Sequence, residues 1–347
     1  MYRTDIYKKL IRKDHSMKKI NWGILATGKI AETVAKAMKF LESDSNNNME
    51  LLAVASRSQD KSTDFAKRHN IKRAYGSYEE LVSDPDIDVV YIATPMSCHY
   101  ENVKLCLNAG KNVLCEKSVC LCADEFEELM DLAKDKGLFL MEAMWMKFLP
   151  AFNKAKEWAE KGLIGNIKMI KADFSNAVSY DENDRLFINS LGGGAILDLG
   201  VYPITFVCSF LGNHPDEIHT YSIKGQTDVD YDDSIILKYK DAYGITFCGF
   251  DFENENKAII VGDKGRIVMG NWFFCTAEAS LYDSMGNIID KQVLPYMFNG
   301  YEFEILEVNK CLREGKLQSD IIPHSDTLDV MRIMETCLNQ AGIEYKI

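Results

Sequence analysis

From residue 19 the chain alternates short apolar runs with longer stretches of helical periodicity. Residues 20–26 and 51–55 read as strands. Residues 30–40 read as a helix, because Ile30, Val34, Ala37 and Met38 recur at a spacing that lines one helical face. The alternation continues through a helix at 61–69, a strand at 89–93, a helix carrying Val103, Leu107 and Ala109, a strand at 113–115, a helix at 126–133 and a strand at 139–141. This pattern predicts an α/β fold with a doubly wound parallel sheet, helices on both faces, and ligands bound beyond the carboxyl ends of the strands.

After about residue 150 the texture changes. A helix at 151–161 leads to a strand at 167–174, a loop, a glycine run and an apolar helix through residue 211. From 218 to about 294, short strands separated by turn signals such as Asp263-Lys264-Gly265 and Met285-Gly286-Asn287 predict a large, mostly antiparallel open sheet. Helices near 302–314 and 325–340 follow. The expected organisation is an extension at 1–17, an N-terminal Rossmann domain at 18–145 and a C-terminal α+β domain at 146–347. The second domain would serve substrate binding and oligomerisation, and its last helix could pack back on the first.

Residues 1–17 are basic (Arg3, Lys8, Lys9, Arg12, Lys13), and Met17 is an alternative start. Asp5 and Asp14 argue against a mitochondrial presequence, and residues 1–16 lack the apolar segment of a signal peptide. The longest strongly apolar stretch, 201–211, is interrupted by Pro203, Thr205 and Ser209 and is too short to span a bilayer. No membrane partner is expected.

Composition narrows the classes further. Over 347 residues, 47% are hydrophobic and 27% charged, the balance of an ordinary globular protein. With 52 acidic against 40 basic residues the formal charge is −12, which argues against a nucleic-acid surface. The ten cysteines form no CxxC pair, and no histidine or carboxylate completes a metal pattern beside Cys115, Cys120 and Cys122. Reduced cysteines in a cytoplasmic protein, with no metal, is the expectation.

One segment carries a ligand signal. Residues 23–31, Gly-Ile-Leu-Ala-Thr-Gly-Lys-Ile-Ala, follow a strand and open a helix. Small residues there let the main chain approach a pyrophosphate, and the helix N-terminus offers free amides. Against the GxGxxG/A fingerprint the match is Ala26, Gly28, Ala31, with Thr27, Lys29 and Ile30 completing the turn; a tight strand–helix turn without ligand is the alternative. The second strand ends in Ser56 and Arg57 where an NAD-selective site carries an acid, which tilts the cofactor towards NADP over NAD.

Tyr91-Ile92-Ala93-Thr94-Pro95, then His99, then Val113-Leu114-Cys115-Glu116-Lys117 resemble the glucose–fructose oxidoreductase/inositol dehydrogenase (Gfo/Idh/MocA) family. Glu142-Ala143-Met144-Trp145 and residues 191–203, through Asp198 and Tyr202, are similar to its dimeric dihydrodiol dehydrogenase and NADP-dependent D-xylose dehydrogenase branch. The likeness extends over nearly the whole chain from Lys18. Ser118 stands where the family signature has proline, and Tyr202 where many members have histidine.

The resemblance implies hydride transfer between a nicotinamide and an alcohol or carbonyl of a sugar, polyol or cyclic diol, in a homodimer or homotetramer associating through the C-terminal sheet. Such chemistry needs one group to take the hydroxyl proton and another to hold the oxygen. Tyr202 is expected as the acid/base and Lys117 as the polarising group, with the reverse assignment open. Asp198, four residues before Tyr202 on one helical face, would accept a substrate hydroxyl or else satisfy amides near the glycine run. Trp145 and Lys147 would flank the pocket, and Arg185, with Tyr180 and Phe187, would close over substrate. Glu116 would orient Lys117 or meet the nicotinamide ribose, while Thr94, Pro95 and His99 line the cofactor side. The rival reading is a dinucleotide-binding regulator without turnover; the presence of both Lys117 and Tyr202 favours catalysis.

Overall fold

The computed structural model describes residues 18–345; the expected N-terminal extension lies outside the described residues. Contacts divide the chain into two units. The first comprises residues 18–120, Asp124–Trp145 and Met297–His324; the second comprises Leu121–Ala123, Met146–Tyr296 and residues from Ser325 onward.

In the first unit, β1 (Ile20–Leu25), β2 (Met49–Ala55), β3 (Arg73–Tyr75), β4 (Val89–Ile92), β5 (Asn112–Glu116) and β6 (Leu140–Ala143) form a parallel sheet in the order β3-β2-β1-β4-β5-β6. The order reverses between β1 and β4, and a crevice at such a switch point is where open α/β sheets hold ligands. The helices α1 (Lys29–Glu42), α2 (Gln59–His69), α3 (Tyr78–Val82), α4 (His99–Asn108) and α5 (Ala123–Lys136) supply the crossovers. Helix α1 buries Ala31, Val34, Ala35, Met38 and Leu41, the stripe that its spacing requires. Strand β3 and helix α3 were not among the sequence expectations. Three half-buried residues at a sheet edge and a five-residue helix carry too little periodicity to be recognised.

In the second unit, helices α6 (Pro150–Glu160) and α7 (Val201–Leu211) cover one face of an eight-stranded sheet. Its strands are β7 (Ile167–Ser175), β8 (Glu217–Lys224), β9 (Asp230–Tyr239), β10 (Ala242–Gly249), β11 (Ala258–Gly262), β12 (Gly265–Met269), β13 (Glu278–Asp283) and β14 (Ile288–Val293), in the order β14-β13-β12-β11-β7-β10-β9-β8. All neighbours are antiparallel except β7 and β10. A row of paired residues, Leu281, Ile267, Ile260, Ile170, Gly244 and Leu237, crosses the covered face. Gly244 is small because α7 lies against it: a methyl group there would come within 2.4 Å of Val207. Strand alternation sends Tyr221, Tyr243 and Ile245 to the opposite face, where they are exposed. The run Asn189–Leu211 is long and apolar enough to cross a membrane, but 78% of its most apolar window is buried, which marks it as the core helix of this unit.

Two further helices follow, α8 (Glu302–Arg313) and α9 (His324–Ala341). Helix α8 groups with the first unit, although it follows the whole eight-stranded sheet in the chain. The reason is visible at Trp22, a fully buried indole in β1 whose N–H needs an acceptor. Asn309 of α8 supplies it, with Oδ1 at 3.0 Å. Arg313 Nη2 donates to the carbonyl of Asn48 at 3.1 Å, and Asn299 Nδ2 to that of Thr33 at 3.0 Å. Asn309→Ala strands the Trp22 N–H in a dry interior, and should lower the stability measured by chemical denaturation by about 1–3 kcal/mol.

Candidate active site

In the first unit the candidate residues gather at the carboxyl ends of β1, β2, β4 and β5. The Ala26 amide donates to the carbonyl of Ala55 at 2.9 Å and draws the turn after β1 against β2. Ala26 lies at φ +82°, a conformation that costs alanine roughly 1–2 kcal/mol and glycine almost nothing. The fingerprint position that departs from glycine is thus held in a glycine-like conformation.

Gly28 is the converse. Its φ of −76° and ψ of −176° suit any residue. A methyl group built on it would nevertheless meet no protein atom within 4 Å. The space beside its Cα is open, and the backbone conformation does not require glycine there. Helix α1 begins at this point with no side-chain cap, whereas Ser58 and Ser77 cap α2 and α3 by accepting from the amides of Lys61 and Glu80. Uncapped amides beside a bare Cα make a cradle that fits a pyrophosphate. Thr27 and Ile30 are half-buried around it and Lys29 is exposed.

At the end of β2, Ser56 is buried and Arg57 is exposed, and no acid stands between them and the Ser58 cap. Burial raises the Tyr78 phenol, and the Arg57 charge opposes that shift. At the end of β4, Thr94 is buried, with its hydroxyl oxygen accepting from Asn102 Nδ2 at 3.0 Å, and Pro95 is exposed. His99 is buried, with Nδ1 2.8 Å from the carbonyl of Ser118 and Nε2 2.9 Å from that of Thr94. It braces the loop after β4 against the end of β5.

Glu116 closes β5 in a buried position and accepts a hydrogen bond from the Tyr91 hydroxyl, so it is not a solvated acid. Lys117 is half-buried, and the Lys117–Ser118 peptide bond is cis although no proline follows. Trp145 stacks face to face on Tyr301, with ring centroids 4.3 Å apart. Glu304 was not anticipated. It is fully buried on α8 with neither carboxyl oxygen hydrogen-bonded, and burial, then the charge of Glu116, raise its pKa well above the usual range.

In the second unit the structure brings Arg185 and Asp198 together: both terminal guanidinium nitrogens lie 3.2 Å from Asp198 Oδ1. Asp198 sits in a π-helical turn, Ile196–Gly200, that runs directly into α7 and Tyr202. Tyr202 is buried with its ring against Phe274 (4.8 Å) and Phe174 (5.7 Å). Tyr180 packs edge-on to Phe187. Lys147 is buried and paired with Asp326 at 2.9 Å, a structural ion pair. Asp230 Oδ2 accepts from the Ile196 amide at 2.6 Å, at the start of the turn that carries Asp198. The signal for Asp230 was present: three acids in four residues at the start of a buried strand.

Because Gly28 is free of backbone strain and of protein neighbours, Gly28→Ala should leave the melting temperature within about a degree of the unaltered chain. It should weaken NADPH binding, followed by fluorescence titration, about tenfold or more, the penalty for a clash that arises only with the dinucleotide present.

Comparison with known proteins places this geometry. Residues 20–144 match the model of the Gfo/Idh/MocA oxidoreductase family, NAD-binding Rossmann fold, and residues 152–268 match the Gfo/Idh/MocA C-terminal domain. The trans-1,2-dihydrobenzene-1,2-diol dehydrogenase of Danio rerio is 33% identical over 94% of this chain and 98% of its own length. The NADP-dependent D-xylose 1-dehydrogenase of Hypocrea jecorina is 35% identical over 94% of this chain and 93% of its own. Among solved structures, a levoglucosan dehydrogenase in complex with NADH and levoglucosan shares the fold at a TM-score of 0.84 and 20% identity, over 94% of this chain and 98% of that one. The chain belongs to the Gfo/Idh/MocA family of oxidoreductases, and its first unit is an NAD(P)-binding Rossmann domain.

Proposed function

We propose that the chain is an NADP-preferring dehydrogenase or reductase acting on a secondary alcohol or carbonyl of a sugar, polyol or cyclic diol. The nicotinamide, when bound, accepts or supplies the hydride. Tyr202 exchanges the hydroxyl proton, and Lys117 polarises the substrate oxygen. Asp198, held by Arg185, accepts a neighbouring substrate hydroxyl, and Trp145 gives a flat apolar wall. Ala26, Thr27, Gly28, Lys29 and Ile30 receive the pyrophosphate, Ser56 and Arg57 the 2′-phosphate, and Thr94, Pro95 and Glu116 the nicotinamide half. His99 holds the Thr94 loop in place for that contact.

The observation that carries this reading is the pairing of Asp198 with Arg185 one helical turn before Tyr202. A fixed hydroxyl acceptor beside an acid/base group suits a substrate with adjacent hydroxyls. The diol and xylose activities named for the two relatives agree with that chemistry.

A second copy of the chain is the proposed partner. The exposed face of the eight-stranded sheet carries Tyr221, Tyr243, Ile245, Ile288 and Val293, an apolar group of the kind that interfaces cover. All ten cysteines are free, which suits a reducing, cytoplasmic setting.

Nicotinamide absorbance measured with NADP⁺ over a panel including D-xylose and trans-1,2-dihydrobenzene-1,2-diol tests the activity. NADPH binding without turnover of any sugar or diol would instead indicate the regulator. Tyr202→Phe should lower kcat by about 10²–10⁴-fold with NADPH affinity retained; unchanged turnover would remove Tyr202 from its role. Light scattering on a sizing column should show a dimer or tetramer, and Ile245→Lys should shift it towards monomer.

A further inference from the structure

Strand β9 opens with Asp230-Tyr231-Asp232-Asp233, and Asp230 and Asp233 are both fully buried. Buried carboxylates are costly unless each oxygen finds a donor. Asp230 Oδ2 has one: the Ile196 amide at 2.6 Å, at the first residue of the turn that carries Asp198 and continues into Tyr202. Asp230 Oδ1 has no ordinary donor. The side chain within hydrogen-bond reach of Asp230 is the carboxyl of Asp233. Two carboxyls can bond to each other only if one of them carries a proton.

The surroundings say which one. Burial raises the Asp230 carboxyl above its ordinary value, and the amides of Ile196 and Ala195 oppose that shift; Asp233 has no such amides, so of the two Asp230 is the better placed to carry the charge. Asp233 Oδ1 accepts from the Ser222 hydroxyl, which leaves Oδ2 for the proton. The other groups facing Asp233 are the Cys248 thiol, 3.8 Å from Oδ2, Asp232 on its own strand, Cys337 on α9 and the Tyr345 phenol. Burial pushes Cys337 up to about 12 and lifts Cys248 and Tyr345 well above their ordinary values, so these three stay neutral. Close packing fixes the pair against the glycine run. A methyl group on Gly194 would fall 2.2 Å from Asp230 Oδ1, and one on Gly193 would fall within 3 Å of the carbonyls of Arg185, Leu186 and Ile188. The Arg185 loop, the glycine run and the Asp198 turn therefore rest on Asp230 as one bracket.

We infer that Asp230 and Asp233 are a positioning pair for the substrate side of the site: they share one proton, held on Asp233, and that proton lets ionised Asp230 anchor the turn bearing Asp198 and Tyr202. The inference rests on the roles proposed above for those two residues. Burial, then the charge of Asp230, raise Asp233 to about 9 from an ordinary value of 3.8. The stability this group lends the fold is complete below about pH 4, is lost as pH rises towards 9, and changes no further above that.

Melting curves of the full chain across about pH 5–10 test the shared proton without any substrate. Asp233→Asn replaces the acid O–H with an amide N–H that still donates to Asp230 but cannot titrate. Its melting temperature should gain on the unaltered chain steadily up to about pH 9 and then run parallel to it. A difference independent of pH would overturn the shared proton, whatever the enzyme's activity.

Positioning is tested by turnover with NADP⁺ and the panel substrate oxidised fastest. Asp230→Ala should lower kcat about tenfold or more with NADPH affinity unchanged. Asp230→Asn, which keeps both bonds by accepting from Ile196 and donating to Asp233, should restore kcat to within about threefold. Unchanged kcat in Asp230→Ala, or no rescue by Asp230→Asn, would overturn the positioning role. If Asp230→Ala does not fold, the pH profile of kcat decides: it should decline towards pH 9 in the unaltered chain and not in Asp233→Asn, and identical profiles would count against the pair.

Discussion

The first amides of a helical segment have no carbonyl of their own to meet, and each buried one must find an acceptor elsewhere. The helical starts of this chain meet this constraint in different ways. Helices α2 and α3 use serine caps, the ordinary solution. Helix α1 has no side-chain cap, and the space beside the Gly28 Cα is open. The turn leading into α7 is buried too deeply for solvent to help, and the carboxylate of Asp230 fills the need. The cofactor and substrate halves of the proposed chemistry thus begin from the same unsatisfied groups, left open in one unit and closed internally in the other.

Much of the fold was legible in the chain. Fully buried parallel strands such as Val89–Ile92 are continuous apolar runs, and α1 carries its stripe at helical spacing. The tight turn between β1 and α1 was legible for a similar reason, since small residues stand at fixed offsets between a strand and a helix. What stayed hidden depends on contacts between distant residues. Nothing near Glu304 in sequence says that it is buried beside Glu116, and nothing near Asn309 says that it serves Trp22. The pairing of Arg185 with Asp198 needed the glycine run to be folded before it could be seen.

Those hidden contacts also change the meaning of the charge. A formal −12 counts every carboxyl as ionised. Burial raises Glu304 and Asp233 well above the ordinary carboxyl range, so part of the acidic excess lies in the interior and not on the surface. Arg57 at the end of β2 can therefore attract an anion without opposing the full formal charge, because screening confines the remaining surface carboxylates to local effects.

The first unit is assembled from separate stretches of chain, and this governs the order in which it can be completed. Trp22 and its acceptor Asn309 are 287 residues apart. On a ribosome adding ~5–20 residues per second, roughly a quarter of a minute to a minute separates their emergence. Throughout that interval the nascent sheet lacks α8, whose Ile305, Leu306 and Val308 belong to its core. The nucleotide-binding half, although made first, is finished among the last.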